Sequence, residues 1–131
     1  MKTLVISDIH NRYDVFRNII TSRAGEYEKI VFLGDVFDNF HDTLKDVERT
    51  AEYLGECLAR PDFVWIAGNH DLPYIYRSNP YLRCSGHTAD KARVIREVLG
   101  TDLYKYVLYH WDEYFLYTHA GLLSYFLPIE G

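Results

Sequence analysis

A chain of 131 residues with a formal net charge of −5 has the length of one domain, 1–131, and can bury a core without disulfides or structural metals as staples. Its hydrophobic fraction of 48% and aromatic fraction of 16%, the latter largely from 12 tyrosines, exclude a disordered chain. No apolar run nears the roughly 20 residues that span a bilayer, and the acidic balance disfavours a nucleic-acid-binding surface.

The first predicted element is a buried strand over 2–7 (KTLVIS). Its apolar stretch is too short for a signal-peptide core and is followed by Asp8, so a cytoplasmic protein without membrane attachment is expected. A helix follows, with Asp14 as candidate N-cap and Val15, Phe16, Ile19 and Ile20 on one face. Residues 29–33 (KIVFL) form a second apolar run, ended by Gly34-Asp35. A longer helix near 42–59 carries Leu44, Val47, Ala51, Leu54 and Leu58 at spacings of three or four, capped by Asp42 or Thr43. Residues 63–67 (FVWIA) form a third run, ended by Gly68-Asn69. Residues 72–87 read as an irregular loop. A third helix, capped by Thr88 or Asp90 and closed by Gly100, carries Ala92, Val94, Ile95, Val98 and Leu99. Residues 104–109 and 114–118 read as a hairpin around His110-Trp111-Asp112-Glu113. The β-α-β-α-β order predicts a mainly parallel sheet covered by helices. Cys57 and Cys84 lack a Cys-x-x-Cys spacing and are expected as reduced thiols.

In open α/β sheets, sites form beyond the carboxyl ends of strands. The four ends read Ser7-Asp8-Ile9-His10, Gly34-Asp35-Val36-Phe37-Asp38, Gly68-Asn69-His70-Asp71 and Thr118-His119-Ala120-Gly121. Asp, Asn and Gly are ordinary turn residues, but turn chemistry does not explain His at three of four ends. Oxygen and imidazole donors without thiolate suit Mn, Zn or Fe.

These ordered motifs resemble the calcineurin-like metallophosphoesterase superfamily over essentially the whole chain. Thr118-His119-Ala120-Gly121 is similar to the motif of its phosphoprotein phosphatase and dinucleoside polyphosphatase branch. The resemblance implies an α/β fold with a β-sandwich flanked by helices. It also implies hydrolysis of phosphate esters by a hydroxide shared between two divalent cations, with no covalent phosphoenzyme. Manganese is the foremost candidate, with Fe, Zn or Ni as alternatives. Asp8 and His10 would hold the first metal, Asn69 and His119 the second, and Asp35 both. His70 would be the general acid, oriented by Asp38. Asp71 and Ser7 are read as loop supports.

Two departures qualify the resemblance. The branch has Arg-Gly after the second Asp of its second motif, where this chain has Asn39-Phe40; Asn cannot grip a phosphate bidentately as Arg does. Asn11 likewise stands where Gly is common. The family also continues to a final Gly-His motif, whereas no His follows His119. The expected consequences are an incomplete second sheet, a weaker second metal position, and an oligomer or partner chain that supplies the rest. The phosphorylated substrate could then be a phosphomonoester, a diester or a dinucleoside polyphosphate; a catalytically weak metal-binding module is the further alternative. Arg77 and Arg83 are candidate contacts to a substrate phosphate, and His41 is a weaker candidate for the site. The Gly86-His87-Thr88 stretch reads as a loop and helix cap, His110 as a solvated turn residue, and Tyr104, Tyr106 and Tyr109 as strand packing.

Overall fold

The three apolar runs align as parallel strands, since the first and the second are each followed by a helix long enough to carry the chain back to the start of the next. The computed structural model describes residues 1–121. Strands β1 (Thr3–Ile6), β2 (Lys29–Phe32) and β3 (Phe63–Trp65) form a parallel sheet in that order. The connecting helices are α1 (Tyr13–Ser22) and α2 (Leu44–Leu58). A short α3 (Leu72–Ile75) and a longer α4 (Ala89–Leu99) follow. β4 (His110–Trp111) and β5 (Leu116–Tyr117) then pair antiparallel. The architecture is mixed α/β. Among the described residues no helix is long and apolar enough to cross a membrane.

The strand registers explain the core. Leu4, Ile30 and Phe63 form one cross-strand row, and Ile6, Phe32 and Trp65 another. Both rows pack with Phe16 and Ile20 of α1 and with Val47, Ala51 and Leu54 of α2. The intervening row, Val5, Val31 and Val64, lies on the opposite face by the pleat. α2 begins with a full capping box: Thr43 accepts from the Asp46 N–H, and the Asp46 carboxylate accepts from the Thr43 N–H. Such a cap contributes about 1 kcal/mol. Thr88 caps α4 through its side chain alone, accepting from the Lys91 N–H, and Gly100 follows the helix's last residue with φ +52°.

Several expectations need correction. Asp14 does not cap α1; Arg12 holds that position without a side-chain cap, and Asp14 lies in the first turn, where a carboxylate favours the helix dipole. Val15 is exposed, so the apolar face of α1 narrows to Phe16 and Ile20 with Ile19 at its edge. The 72–87 segment is not wholly irregular: it opens with α3, and Pro80–Leu82 form a 3-10 turn. The hairpin exists in a shifted register. Residues 100–104 form a 3-10 turn, Val107 bridges to Ile66, and His110 is a strand residue against Lys29 rather than a solvated turn residue. Cys57 and Cys84 are free thiols, and burial pushes Cys57 up to about 12. The chain's last ten residues, on which the expectation of a truncated sheet rests, lie outside the described residues.

The ends of β2 and β3 meet backbone to backbone. A Cβ on Gly34, whose φ is +99°, would lie 2.5 Å from the Gly68 nitrogen and 2.9 Å from His119 Nδ1. A Cβ on Gly68 would fall on the backbone nitrogen and carboxylate of Asp35. We expect Gly34→Ala to destabilise the chain by about 3 kcal/mol in chemical denaturation, combining overpacking with an unfavourable φ. Gly25, with φ +89° and nothing near its Cβ position, is the control: Gly25→Ala should cost only about 1 kcal/mol. Equal losses at the two positions would contradict the close approach.

Candidate metal centre

Beyond the strands, the backbone ladder continues into the loops. The Asp8 N–H donates to the Gly34 carbonyl at 3.0 Å, His10 N–H to Asp35 O at 3.1 Å, and Asn11 N–H to Val36 O at 2.7 Å. This ties the first loop to the second. The second is tied to the third by a single side chain. The wholly buried Asp71 carboxylate accepts from the N–H groups of Asp35 and Gly68 on Oδ2, and of Val36 on Oδ1, each at 2.9 Å. Burial pushes its carboxyl up to about 6, against the pull of the N–H donors, so it is ionised above neutrality.

Among the described residues five non-glycine residues adopt positive φ: Asp8, His10, Asn11, Asp35 and Asp38. All lie in these loops, which is where strain is spent when a site must be preorganised. The left-handed conformation also explains Asn11. The position needs positive φ; Asn tolerates it better than most residues, and its amide donates to Asp42 Oδ2 at 2.8 Å.

The loops bring the sequence-predicted residues together. The ligand atoms of Asp8, His10 and Asp35 all lie within 4.8 Å of one another. His10 Nε2 is 3.3 Å from Asp8 Oδ1 and 3.8 Å from Asp35 Oδ2. On the other side of Asp35, His119 Nε2 is 3.3 Å from Oδ2. Asn69 Oδ1 is 3.0 Å from that same imidazole nitrogen. Asp35 is 5% exposed and sits between the two histidines, while its Oδ1 accepts the His70 N–H at 2.9 Å. Both imidazoles are turned by backbone carbonyls. His10 Nδ1 donates to Phe37 O at 3.0 Å, and His119 Nδ1 to Leu33 O at 2.6 Å. A carbonyl only accepts, so the proton is on Nδ1 and the Nε2 lone pair faces the cluster, as in metal-ligating histidines.

Whether a cation fits can be judged from what the donors face. Asn69 Oδ1, His119 Nε2 and the Asp35 carboxylate present acceptors to one another. Turning the Asn69 amide over would let its NH2 donate to His119 at 3.0 Å and to Asp35 at 3.3 Å. With the oxygen inward, a divalent cation satisfies all three. Asp8 is held below the ordinary carboxylate range. Burial opposes its ionisation, but the hydrogen bond from Ser7 and the neighbouring imidazoles of His10 and His119 outweigh it. The donor set of carboxylate, amide oxygen and imidazole fits a hard or borderline divalent ion.

His70 and Asp38 stand at the edge of this cluster. His70 Nδ1 donates to Asp38 Oδ2 at 2.9 Å, and its ring meets that of His10 edge-on. A cleft of about 390 Å³ is lined by His10, Arg12, Asp38, Asn39 and His70 together with Ser85 and Gly86.

A family model for calcineurin-like phosphoesterases matches residues 1–129. The chain belongs to that family. No curated protein and no solved structure matches it. Calcineurin-like phosphoesterases hydrolyse phosphoesters with divalent metal ions, and this chain's Asp8-His10-Asp35 cluster offers a place for one.

Sequence reasoning missed three residues that complete the site. Lys91 is buried on α4, 2.7 Å from Asp42 Oδ1 and 3.7 Å from Asp38 Oδ1, and donates to Gly86 O at 2.7 Å. Its signal was available: Lys91, Ala92, Ile95 and Leu99 share one buried helix face. The Tyr74 hydroxyl donates to Asp38 Oδ1; burial and the neighbouring Asp38 push its own pKa up, so it stays a donor. The Arg12 guanidinium donates to Ile9 O and Asp8 O, each at 3.0 Å, and lines the cleft. His41 is exposed, with only its backbone N–H engaged by Asn39 Oδ1.

Asp71→Asn tests the clasp. An amide can keep its oxygen towards Asp35 and Gly68 only by turning its NH2 against the Val36 N–H. At pH 8 this variant should lose about 1–3 kcal/mol of stability and bind Mn²⁺ about 10–100-fold more weakly by calorimetry. Wild-type stability and affinity would contradict the role assigned to Asp71.

Proposed function

We propose that the chain hydrolyses phosphate esters at a two-cation centre, as in the phosphoprotein phosphatase and dinucleoside polyphosphatase branch. On this reading the parallel sheet is one layer of the family's β-sandwich. The observation that supports it is the convergence of four acceptor side chains, Asp8, His10, Asn69 and His119, around Asp35 beside a carboxylate-bound histidine. Asp8 and His10 would hold one cation and Asn69 and His119 the other, with Asp35 within reach of both. When bound, the cations activate water and neutralise phosphoryl oxygens as Lewis acids.

The remaining work falls to the chain. Water adds to phosphorus as the bond to the leaving oxygen breaks, and no residue becomes phosphorylated. The leaving oxygen takes a proton from His70 Nε2, the nitrogen not used to donate to Asp38. The Asp38 carboxylate stabilises the imidazolium before transfer and keeps the ring from turning. Tyr74 and Lys91 fix that carboxylate from behind. Arg12 retains unused N–H groups on its guanidinium and grips phosphoryl oxygens in the cleft.

A diester or dinucleoside polyphosphate substrate is the second reading, favoured by Asn39. Its Oδ1 accepts the N–H groups of its own turn, from His41, and its backbone N–H donates to Asp42. It therefore builds the loop and offers no substitute for a bidentate Arg.

Kinetics with p-nitrophenyl phosphate, its bis-ester and Mn²⁺ test both readings. His70→Ala should lower kcat by about 10²–10⁴ with metal content unchanged. Asp35→Ala should lose metal and turnover together, and Arg12→Ala should act mainly on KM. Wild-type turnover in both Asp35→Ala and His70→Ala would contradict the proposal, and a monoester hydrolysed far faster than the bis-ester would eliminate the second reading.

A further inference from the structure

A second cavity, also of about 390 Å³, lies on the other side of the Cys84–His87 turn from the cleft. Arg77, Arg83 and Arg96 line it together with Cys84, His87 and Thr88, and no Asp or Glu does. Three guanidinium groups around one hollow is unusual in a chain of net charge −5. Among the described residues none of the three lies within 4.0 Å of a carboxylate, whereas Arg93 on the same helix as Arg96 pairs with both Asp90 and Glu97. Like charges gathered without counter-charge repel one another, and a bound anion removes that cost.

One further feature reinforces this. Thr88 caps the 11-residue helix α4, so the first turn of that helix adds its positive end to the hollow.

The turn that separates the two hollows is fixed to the candidate centre on both sides. The Cys84 thiol donates to the Asn69 carbonyl at 3.1 Å. Gly86 packs so closely on Asp38 that a Cβ there would lie 3.1 Å from the Asp38 Cβ, and Lys91 holds the Gly86 carbonyl. Ser85 and Gly86 face the cleft, while Cys84 and His87 face the arginines.

We propose that the Arg77–Arg83–Arg96 cavity is a second anion subsite that holds a further phosphoryl group of the substrate, so that the substrate class is a polyphosphate. The assignment rests on the phosphoesterase reading above. A single carboxylate would leave three cationic groups under-neutralised, whereas a terminal phosphate carries about −1.5 to −2 and enough oxygens for several Arg forks. The residues bind and do not react; they orient a substrate whose other phosphoryl group lies in the cleft.

The test is inhibition of p-nitrophenyl phosphate hydrolysis by inorganic tripolyphosphate and by orthophosphate at fixed free Mn²⁺, in wild type and in Arg83→Gln/Arg96→Gln. All three arginines are exposed, so the variant should fold, which circular dichroism checks. Expected is an inhibition constant for tripolyphosphate raised at least about tenfold, corresponding to the loss of one charge-assisted contact. The orthophosphate constant and kcat/KM for p-nitrophenyl phosphate should stay within about twofold. An unchanged tripolyphosphate constant overturns the proposal, and so does a parallel fall in p-nitrophenyl phosphate turnover, which would mean the arginines act on the cleft. If wild type hydrolyses neither p-nitrophenyl phosphate nor its bis-ester, the phosphoesterase reading fails and the substrate assignment with it. Calorimetric titration with tripolyphosphate then still tests the cavity: equal binding by wild type and variant overturns it, and loss in the variant upholds an anion site.

Discussion

The Asp71 carboxylate holds the site together. It sits without solvent contact between two loops and accepts three backbone N–H groups from Asp35, Val36 and Gly68. Each of these would otherwise be an unsatisfied donor in the interior. The loops can approach closely enough to share it only because Gly34 and Gly68 carry no Cβ. From this contact follow the position of Asp35, the direction of the His70 N–H, and the place of His119 against Leu33. A buried carboxylate is costly on its own, so its retention here makes sense as the fastener of strained loops rather than as a source of stability.

The candidate site is organised in depth around two aspartates. Asp35 faces His10 and His119, while Asp38 lies behind His70 and takes donors from His70, Tyr74 and Lys91. Lys91 also meets Asp42, which in turn holds Asn11 and the Asn39 N–H. The chain thus places one buried cation under the carboxylates that orient the proposed general acid. That arrangement fixes geometry without placing a cationic side chain among the proposed ligands, where it would compete with metal.

Much of this was legible in the sequence because the proposed ligands are chemically distinctive and strands announce their own ends. Apolar runs closing on Gly-Asp or Gly-Asn-His located the loops, and three histidines in turns set the cluster apart from ordinary turn chemistry. The parallel sheet followed from the alternation of strand and helix. What the sequence hid depends on contacts between distant segments. Arg12 reads as a surface residue until its carbonyl partners are seen. Arg96 joins Arg77 and Arg83 only once α4 is packed against the preceding loop. The hairpin was misplaced because the 104–117 stretch has too little alternation to set its register, and Val107 is instead recruited by Ile66 at the end of β3. Lys91 lay within reach, since a lysine on an otherwise apolar helix face needs a buried partner.

The central claim is that the loops present two cation positions sharing Asp35. The direct measurement is Mn²⁺ stoichiometry by calorimetry with elemental analysis. The account predicts two ions per chain at saturation, the second bound more weakly, with Asn69→Ala and His119→Ala each reducing the count to one. Saturation at a single ion that is indifferent to both substitutions would contradict it.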